Sequence, residues 1–278
     1  MSKVIKNEAF QEERSLYGLD NCLVDSCTFS GPLDGESPLK ECKNITINNC
    51  KFDLRYPMWH IDTITLSNSY LSELCRAALW YCDNIVIANS KLYGIKALRE
   101  CSNIEIKDCD IISPEFGWFT NNVILSDSSI DAMYAFLKSK NLLLKNLKFK
   151  GKYSFQYIEN STFENCEFDT KDAFWHGKNI IVKDSVVKGE YLAWYASNIK
   201  FINCKIIGTQ PLCYCDGLEL IDCEMIDSDL AFEKSHVNAR ILNEMISIKN
   251  PLSGEIRVKG VKDIIFDDEN ATGSIIIE

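Results

Sequence analysis

Asn179-Ile180-Ile181-Val182-Lys183-Asp184-Ser185-Val186-Val187 decides how the whole chain is read, because the same pattern returns along it at nearly fixed spacing. Written as Asn, Ile, any, apolar, any, Asn or Asp, Cys or Ser, any, apolar, its copies begin at Ser2, Asn21, Asn44, Thr63, Asn84, Asn103, Asn122, Asn141, Asn160, Asn179, Asn198 and Gly217. Nine of the eleven intervals are 19 residues and the other two are 23 and 21, a regularity that marks a repeat array.

Each repeat is numbered 1 to 19 from its Asn. Positions two and four are apolar and alternate with variable polar residues, the period of a half-buried strand; position nine is apolar from Phe10 to Met225. Position six is Asn or Asp in eleven of twelve copies, Ser26 being the exception, and position one is Asn in nine. Both types tolerate the left-handed region and bond their own backbone, so these positions are corners. No run has a 3.6-residue period, and two-residue Asn-Gly or Asp-Gly turns do not recur between copies, which argues against helices and hairpins. A strand, a corner, a second strand, a longer bend and a third extended piece make one coil. The expected fold is therefore all-β, a single-stranded right-handed parallel β-helix of twelve to thirteen coils. Its handedness follows the preference of parallel crossovers. Strands ~4.8 Å apart would give a rod of roughly 60 Å. One domain is expected over residues 1–278, with 1–20 as first coil and N-terminal cap and 236–278 as an irregular C-terminal cap closing the stack.

Composition narrows the function classes. A net charge of −10 argues against nucleic acid, whose phosphates need a basic surface. There is no basic and apolar leader and no apolar run near the ~20 residues that span a bilayer, so a cytoplasmic protein with no membrane partner is expected. Thirteen cysteines suggest disulfides at first sight. Ten of them, however, occupy two repeat positions: Cys27, Cys50, Cys109, Cys166, Cys204 and Cys223 in one, Cys42, Cys82, Cys101 and Cys215 in the other. Serine replaces the first set at Ser69, Ser90, Ser128 and Ser185. A position where Cys and Ser interchange needs a small residue, so reduced, buried thiols are expected. A single stacked column does not surround a tetrahedral zinc ion, and no metal or cofactor is expected.

The repeats, together with Gly35-Glu36-Ser37-Pro38-Leu39-Lys40-Glu41, Lys171-Asp172-Ala173-Phe174-Trp175, Gly189-Glu190-Tyr191-Leu192 and Asn250-Pro251-Leu252-Ser253-Gly254, resemble an uncharacterised bacterial family, domain of unknown function number 3737. The resemblance spans essentially the whole chain. It implies a right-handed β-helix of the broad pectate-lyase type and carries no assigned activity.

The functional hint lies in the aromatic residues. Position sixteen, counted back from the next Asn, holds all five tryptophans, Trp59, Trp80, Trp118, Trp175 and Trp194, and also Tyr17, Lys40, Arg99, Gln156, Cys213 and Phe232. Position thirteen holds Tyr56, Tyr134, Tyr153 and Tyr191; position seventeen holds Tyr81, Tyr157, Tyr195 and Tyr214. Fourteen of the sixteen Trp and Tyr residues thus fall on one side of the coil. Position fifteen between them is apolar or Gly, and position sixteen admits charge, so fifteen should face inward and sixteen outward.

Such a wall, interleaved with carboxylates and histidines, suits an oligosaccharide. The rival reading is that the rings fill a wide corner with their polar tips wet, which leaves a scaffold or protein-interaction module capable of self-association. For a ligand, Trp175, Trp194, Tyr153, Tyr157, Tyr191, Tyr195 and Tyr214 form the richest cluster. Asp172, His176 and Glu190 are the candidate acid and base there, against the alternative that Lys171 and Glu190 merely pair across coils. A second cluster gathers Trp59, Trp80, His60, Glu36, Arg55 and Arg76. Gly-His-Gly, Asn-Thr-Asp and Arg-Ile-Lys, expected of polygalacturonase-like hydrolases, do not occur.

Overall fold

The computed structural model describes residues 3–31 and 36–278; Ser2, where the first repeat starts, and Gly35 lie outside them. Every regular element among the described residues is a strand. The chain is a parallel β-solenoid of about 14 turns with about 19 residues each. It divides into two compact units, residues 1–140 and 141–278.

In the first unit the repeat motif forms strands such as Lys43–Asn48, Asp62–Ser67, Asp83–Ala88 and Ser102–Lys107. They pair in parallel with like residues aligned, Ile47 on Leu66 and Ile87 on Ile106. A second strip runs through Lys51–Asp53, Tyr70–Leu71, Lys91–Tyr93 and Asp110–Ile112. Positions four and nine fill the interior: Ile47, Leu66, Ile87, Ile106, Phe52 and Leu92 have no exposed surface. Each such side chain stabilises the fold by roughly 1.5–3 kcal/mol.

The corners are where the sequence placed them. Asn21, Asn44, Asn84 and Asn103 all have φ between 51° and 57°, and their amides link successive coils, as Asn122 Nδ2 donates to Asn103 Oδ1 at 3.0 Å. The interchange of Cys and Ser at position seven also has a structural reason. Ser69 Oγ donates to the carbonyl two residues back at 2.7 Å and accepts from the Cys50 amide at 3.1 Å; Cys50 Sγ donates to the Asn48 carbonyl and accepts from the Cys27 amide at 3.4 Å. Hydroxyl and thiol do the same work, and all thirteen cysteines are buried and unpaired.

The second unit repeats the arrangement through Lys178–Lys183, Ser197–Ile202 and Asp216–Ile226, with Asn179 and Asn198 continuing an amide ladder at 2.9 and 3.1 Å. Its core is aromatic. Phe174 stacks on Phe155 at 5.3 Å and meets Phe163 and Phe168 edge-on. The stretch expected as an irregular cap carries Val237–Lys249, Glu255–Ile265 and Ser274–Ile277, which keep pairing in parallel, with register shifts between Leu220 and Cys223 and between Ile241 and Glu244.

The third side of the coil departs from the expectation of one extended piece throughout. Met58–Trp59, Leu79–Trp80 and Leu98–Arg99 form a short parallel sheet in the first unit. There the position-fifteen amide donates toward the next coil, Met58 N to Ala78 O at 2.9 Å and Leu79 N to Ala97 O at 3.0 Å. From Gly117 onward, still within the first unit, the backbone changes. Position fifteen becomes left-handed, at Gly117 (φ 73°) and Phe136 (φ 57°), and its amide turns back to the preceding coil, Phe136 N to Phe116 O at 2.7 Å. A Cβ on Gly117 would lie 2.6 Å from the Phe136 ring, so the first reversed peptide falls on a residue without one. The second unit keeps this form, with Phe174 N on Ser154 O at 3.1 Å and Ala193 N on Ala173 O at 2.8 Å.

Candidate functional site

In the second unit the inward and outward assignment holds across the central coils. Phe155, Phe174, Ala193 and Leu212 are buried, while Trp175 and Trp194 next to them are half-buried. Phe232 is a correction. It is fully buried because the last of these coils carries one more residue on this side: Cys215 N bonds Ser235 Oγ, 20 residues on. Phe232 therefore aligns with Leu212 at position fifteen, and its amide reaches back to Pro211 O at 3.2 Å as that position requires. Cys213 is the other exception, with no exposed surface; its short side chain donates to the Leu230 carbonyl at 3.6 Å and stays inside.

That carbonyl belongs to position thirteen, and it explains the tryptophans. Trp175 Nε1 donates to Tyr191 O at 2.6 Å and Trp194 Nε1 to Gln210 O at 2.8 Å; Gln156 Nε2 reaches Asp172 O at 3.3 Å. Position sixteen thus clasps the bend of the next coil, a role that spacing alone did not suggest. The two indoles lie parallel, 5.4 Å apart with 3° between planes, and Tyr191 meets Trp194 edge-on at 5.3 Å. Beside them runs a second stack: Tyr157 on His176 at 4.7 Å, His176 on Tyr195 at 5.1 Å and Tyr195 on Tyr214 at 4.8 Å, all within 13° of parallel. Tyr157 and Tyr195 are 44% and 46% exposed, so this stack carries its edges and polar tips into solvent. Tyr214 lies half-buried, and burial with the nearby Glu233 raises its proton affinity, which keeps the phenol a donor. Tyr153 is half-buried in the column of Asp172 and Tyr191.

The polar candidates separate. Glu190 bonds Lys171 at 2.8 Å, and the same ammonium sits 5.0 Å over the Tyr191 ring. Asp172 is only 5% exposed; burial raises its proton affinity above the usual carboxylate range, Lys171 opposes this and Glu190 adds to it. His176 is exposed but held between two rings. Glu190 is thus occupied by Lys171, His176 is stacked, and Asp172 exposes little of its surface. No group of three or more His, Cys, Asp or Glu side chains fit to hold a metal is found among the described residues. Two shallow grooves of this unit open elsewhere: one of about 350 Å³ along Ile181, Asn198, Lys200 and Glu219, another of about 240 Å³ along Asp184, Asn203, Asp222 and Glu224.

The first unit gathers its own cluster differently. Trp59 and Trp80 meet edge-on at 5.1 Å and 82°, and His60 stacks on Tyr81 at 5.1 Å. Glu36 pairs with Arg55 at 2.9 Å, and the Arg55 guanidinium lies 5.9 Å over Tyr56. Arg76 is exposed. What sequence reasoning missed here is Arg99. Its guanidinium lies 5.1 Å over Trp80 and 5.3 Å over Trp118 while pairing with Glu100 at 3.1 Å, and Lys40 sits 6.0 Å over Trp59. The signal was the interleaving of Lys and Arg with Trp in one column, the requirement for a cation–π ladder.

This combination of repeat, buried ladders and one aromatic side defines a parallel β-solenoid. The family described as protein of unknown function DUF3737 matches residues 3–278, and the chain belongs to it. No curated protein sequence matches the chain. Among solved structures it is similar to the A-module of mannuronan C-5 epimerase AlgE4 of Azotobacter vinelandii (10% identity, 86% of this chain and 91% of that one, TM-score 0.38). It is also similar to PfbA, a surface adhesin of Streptococcus pneumoniae (12%, 98% and 77%, 0.41). A third is a tailspike protein double mutant of E. coli bacteriophage HK620 (9%, 94% and 60%, 0.44).

Proposed function

We propose that this protein is a carbohydrate-binding β-helix that holds an extended, hydroxyl-rich ligand along the aromatic side of residues 153–214. The observation that carries the reading is the stack of Tyr157, His176, Tyr195 and Tyr214, whose first three rings are exposed. Ring faces there lie against one another, so a ligand meets apolar edges and one hydrogen-bonding tip per coil. An oligosaccharide offers the complement, hydroxyls repeating along a chain with apolar faces between them. The role is binding rather than catalysis, because Glu190 is paired and Asp172 enclosed. Thirteen unpaired cysteines support a reducing, cytoplasmic setting.

The test is a glycan array probed with wild type and with Trp175→Ala/Trp194→Ala, followed by tryptophan fluorescence. Binding to an extended glycan with a change in emission, lost in the double variant, is expected. No binding by wild type overturns the reading in favour of a scaffold whose aromatic side docks a protein partner or a second copy; indole N–H groups already bonded to backbone are what that rival has in its favour.

A further inference from the structure

We propose that the glycan taken by this face is a neutral, straight chain of pyranoses in β-1,4 linkage, lying along the stack of Tyr157, His176, Tyr195 and Tyr214 with one sugar per coil. The inference rests on the carbohydrate reading above. These four rings follow one another at 4.7, 5.1 and 4.8 Å and stay within 13° of parallel, so each covers the faces of its neighbours. Trp175 and Trp194 cover each other in the same way, and Tyr191 stands edge-on to Trp194. A sugar therefore does not lie flat on a ring here. It meets a row of polar tips, three phenol hydroxyls and one imidazole, repeated once per coil.

A row held at the coil spacing selects for chain shape. A pyranose joined through equatorial bonds at C1 and C4 carries its two linkages at opposite ends of the ring. Successive sugars then lie in line, each advancing by about the length of one ring, which matches the spacing of the tips. An axial bond at C1 bends the chain at every sugar and carries it off the row. Each tip exchanges a bond to water for a bond to the sugar, a modest gain, so affinity comes from repetition, later contacts being made within a ligand already held. Four tips thus set the length of chain that is read. Lys171 and Lys249, beside the stack, are already paired with Glu190 and Glu233, which makes a neutral chain the complement. The net charge of −10 opposes a polyuronate.

Calorimetry and tryptophan fluorescence test this with β-1,4 hexamers of glucose, mannose and N-acetylglucosamine against the α-1,4 hexamer of glucose, and with the dimer and tetramer of the β-1,4 sugar that binds best. That hexamer should bind at least about tenfold more tightly than the α-1,4 one. Affinity should climb about tenfold or more from dimer to tetramer and then change by no more than about threefold to the hexamer. Tyr195→Phe, which keeps the ring and removes the hydroxyl, should weaken the tetramer about three- to tenfold with the melting temperature unchanged. A smaller or reversed preference for the β-1,4 chain overturns the inference and leaves the carbohydrate reading standing. The same holds for an affinity already flat at the dimer or still steep beyond the tetramer, and for tetramer binding that survives in Tyr195→Phe. Failure of all the β-1,4 hexamers while another glycan binds on the array also overturns only this inference; failure of every glycan overturns both.

Discussion

The coils around Leu79 and those around Phe174 close the third side of the solenoid with opposite hydrogen-bond directions. Around Leu79 the position-fifteen amide donates forward and two residues per coil lie extended; around Phe174 it donates backward and the same position is left-handed, φ 63° at Phe174 and 57° at Ala193. Both forms satisfy the backbone, so hydrogen bonding does not choose between them. The left-handed form costs roughly 1–2 kcal/mol per non-glycine residue, and the second unit offsets this with rings: Phe155, Phe163, Phe168 and Phe174 pack on one another. The aromatic surface inherits the difference. Where the peptide is reversed the indole to carbonyl bonds are short, 2.6 and 2.8 Å at Trp175 and Trp194, and the rings lie parallel. Where it is not, the bond is 3.2 Å at Trp59, Trp80 turns to the Glu100 carboxylate, and the rings are edge-on.

Three measurements sharpen or break that contrast. The largest effect is expected from Phe174→Ala, about 3–5 kcal/mol by urea unfolding, against a loss near the lower end of about 2–5 kcal/mol for Leu79→Ala, an aliphatic side chain with no ring of its own to stack. A cost at Leu79 above that at Phe174 would show that the rings do not hold the reversed form. Next come two fully buried alanines. Ala97→Gly, where φ is not positive, loses its methyl and some backbone order, about 1–2 kcal/mol in all. Ala193→Gly loses the same methyl, but relief of the left-handed strain should bring it within ~0.5 kcal/mol of wild type. Equal losses at the two sites would remove the strain from the account. The smallest effect is Trp175→Phe, which frees the Tyr191 carbonyl at about 0.5–1.5 kcal/mol, while Trp80→Phe should be near neutral because Glu100 keeps Arg99. Matching melting temperatures for the two variants would uncouple the clasp from the reversed peptide.

The repeat was legible because its corners and interior are set within one coil. Asn at positions one and six needs only its own backbone to favour a corner, and position four is apolar because one face of a short strand is always inside. The cysteine column was legible for a similar reason, since Cys50 and Ser69 make the same two bonds. Phe232 lies inside because one extra residue on the third side of that coil moves it from position sixteen to fifteen, while Leu218 and Val237 stay aligned 19 residues apart. The burial of Asp172 was hidden too, since its own coil gives no sign of how far neighbouring coils cover a carboxylate at that position.

Sequence by itself therefore determined the coil: its length, its corners, its apolar interior, its reduced thiols and the side on which the aromatic residues gather. Tertiary structure alone decided the direction of the peptide before position fifteen, and with it whether indoles lie parallel or edge-on. The reason is that this choice is made between coils. A donor that turns backward at Phe136 needs an acceptor at Phe116, and the next coil must then do the same, so the decision propagates along the stack, and Gly117 is the only residue in that column whose type marks where it begins.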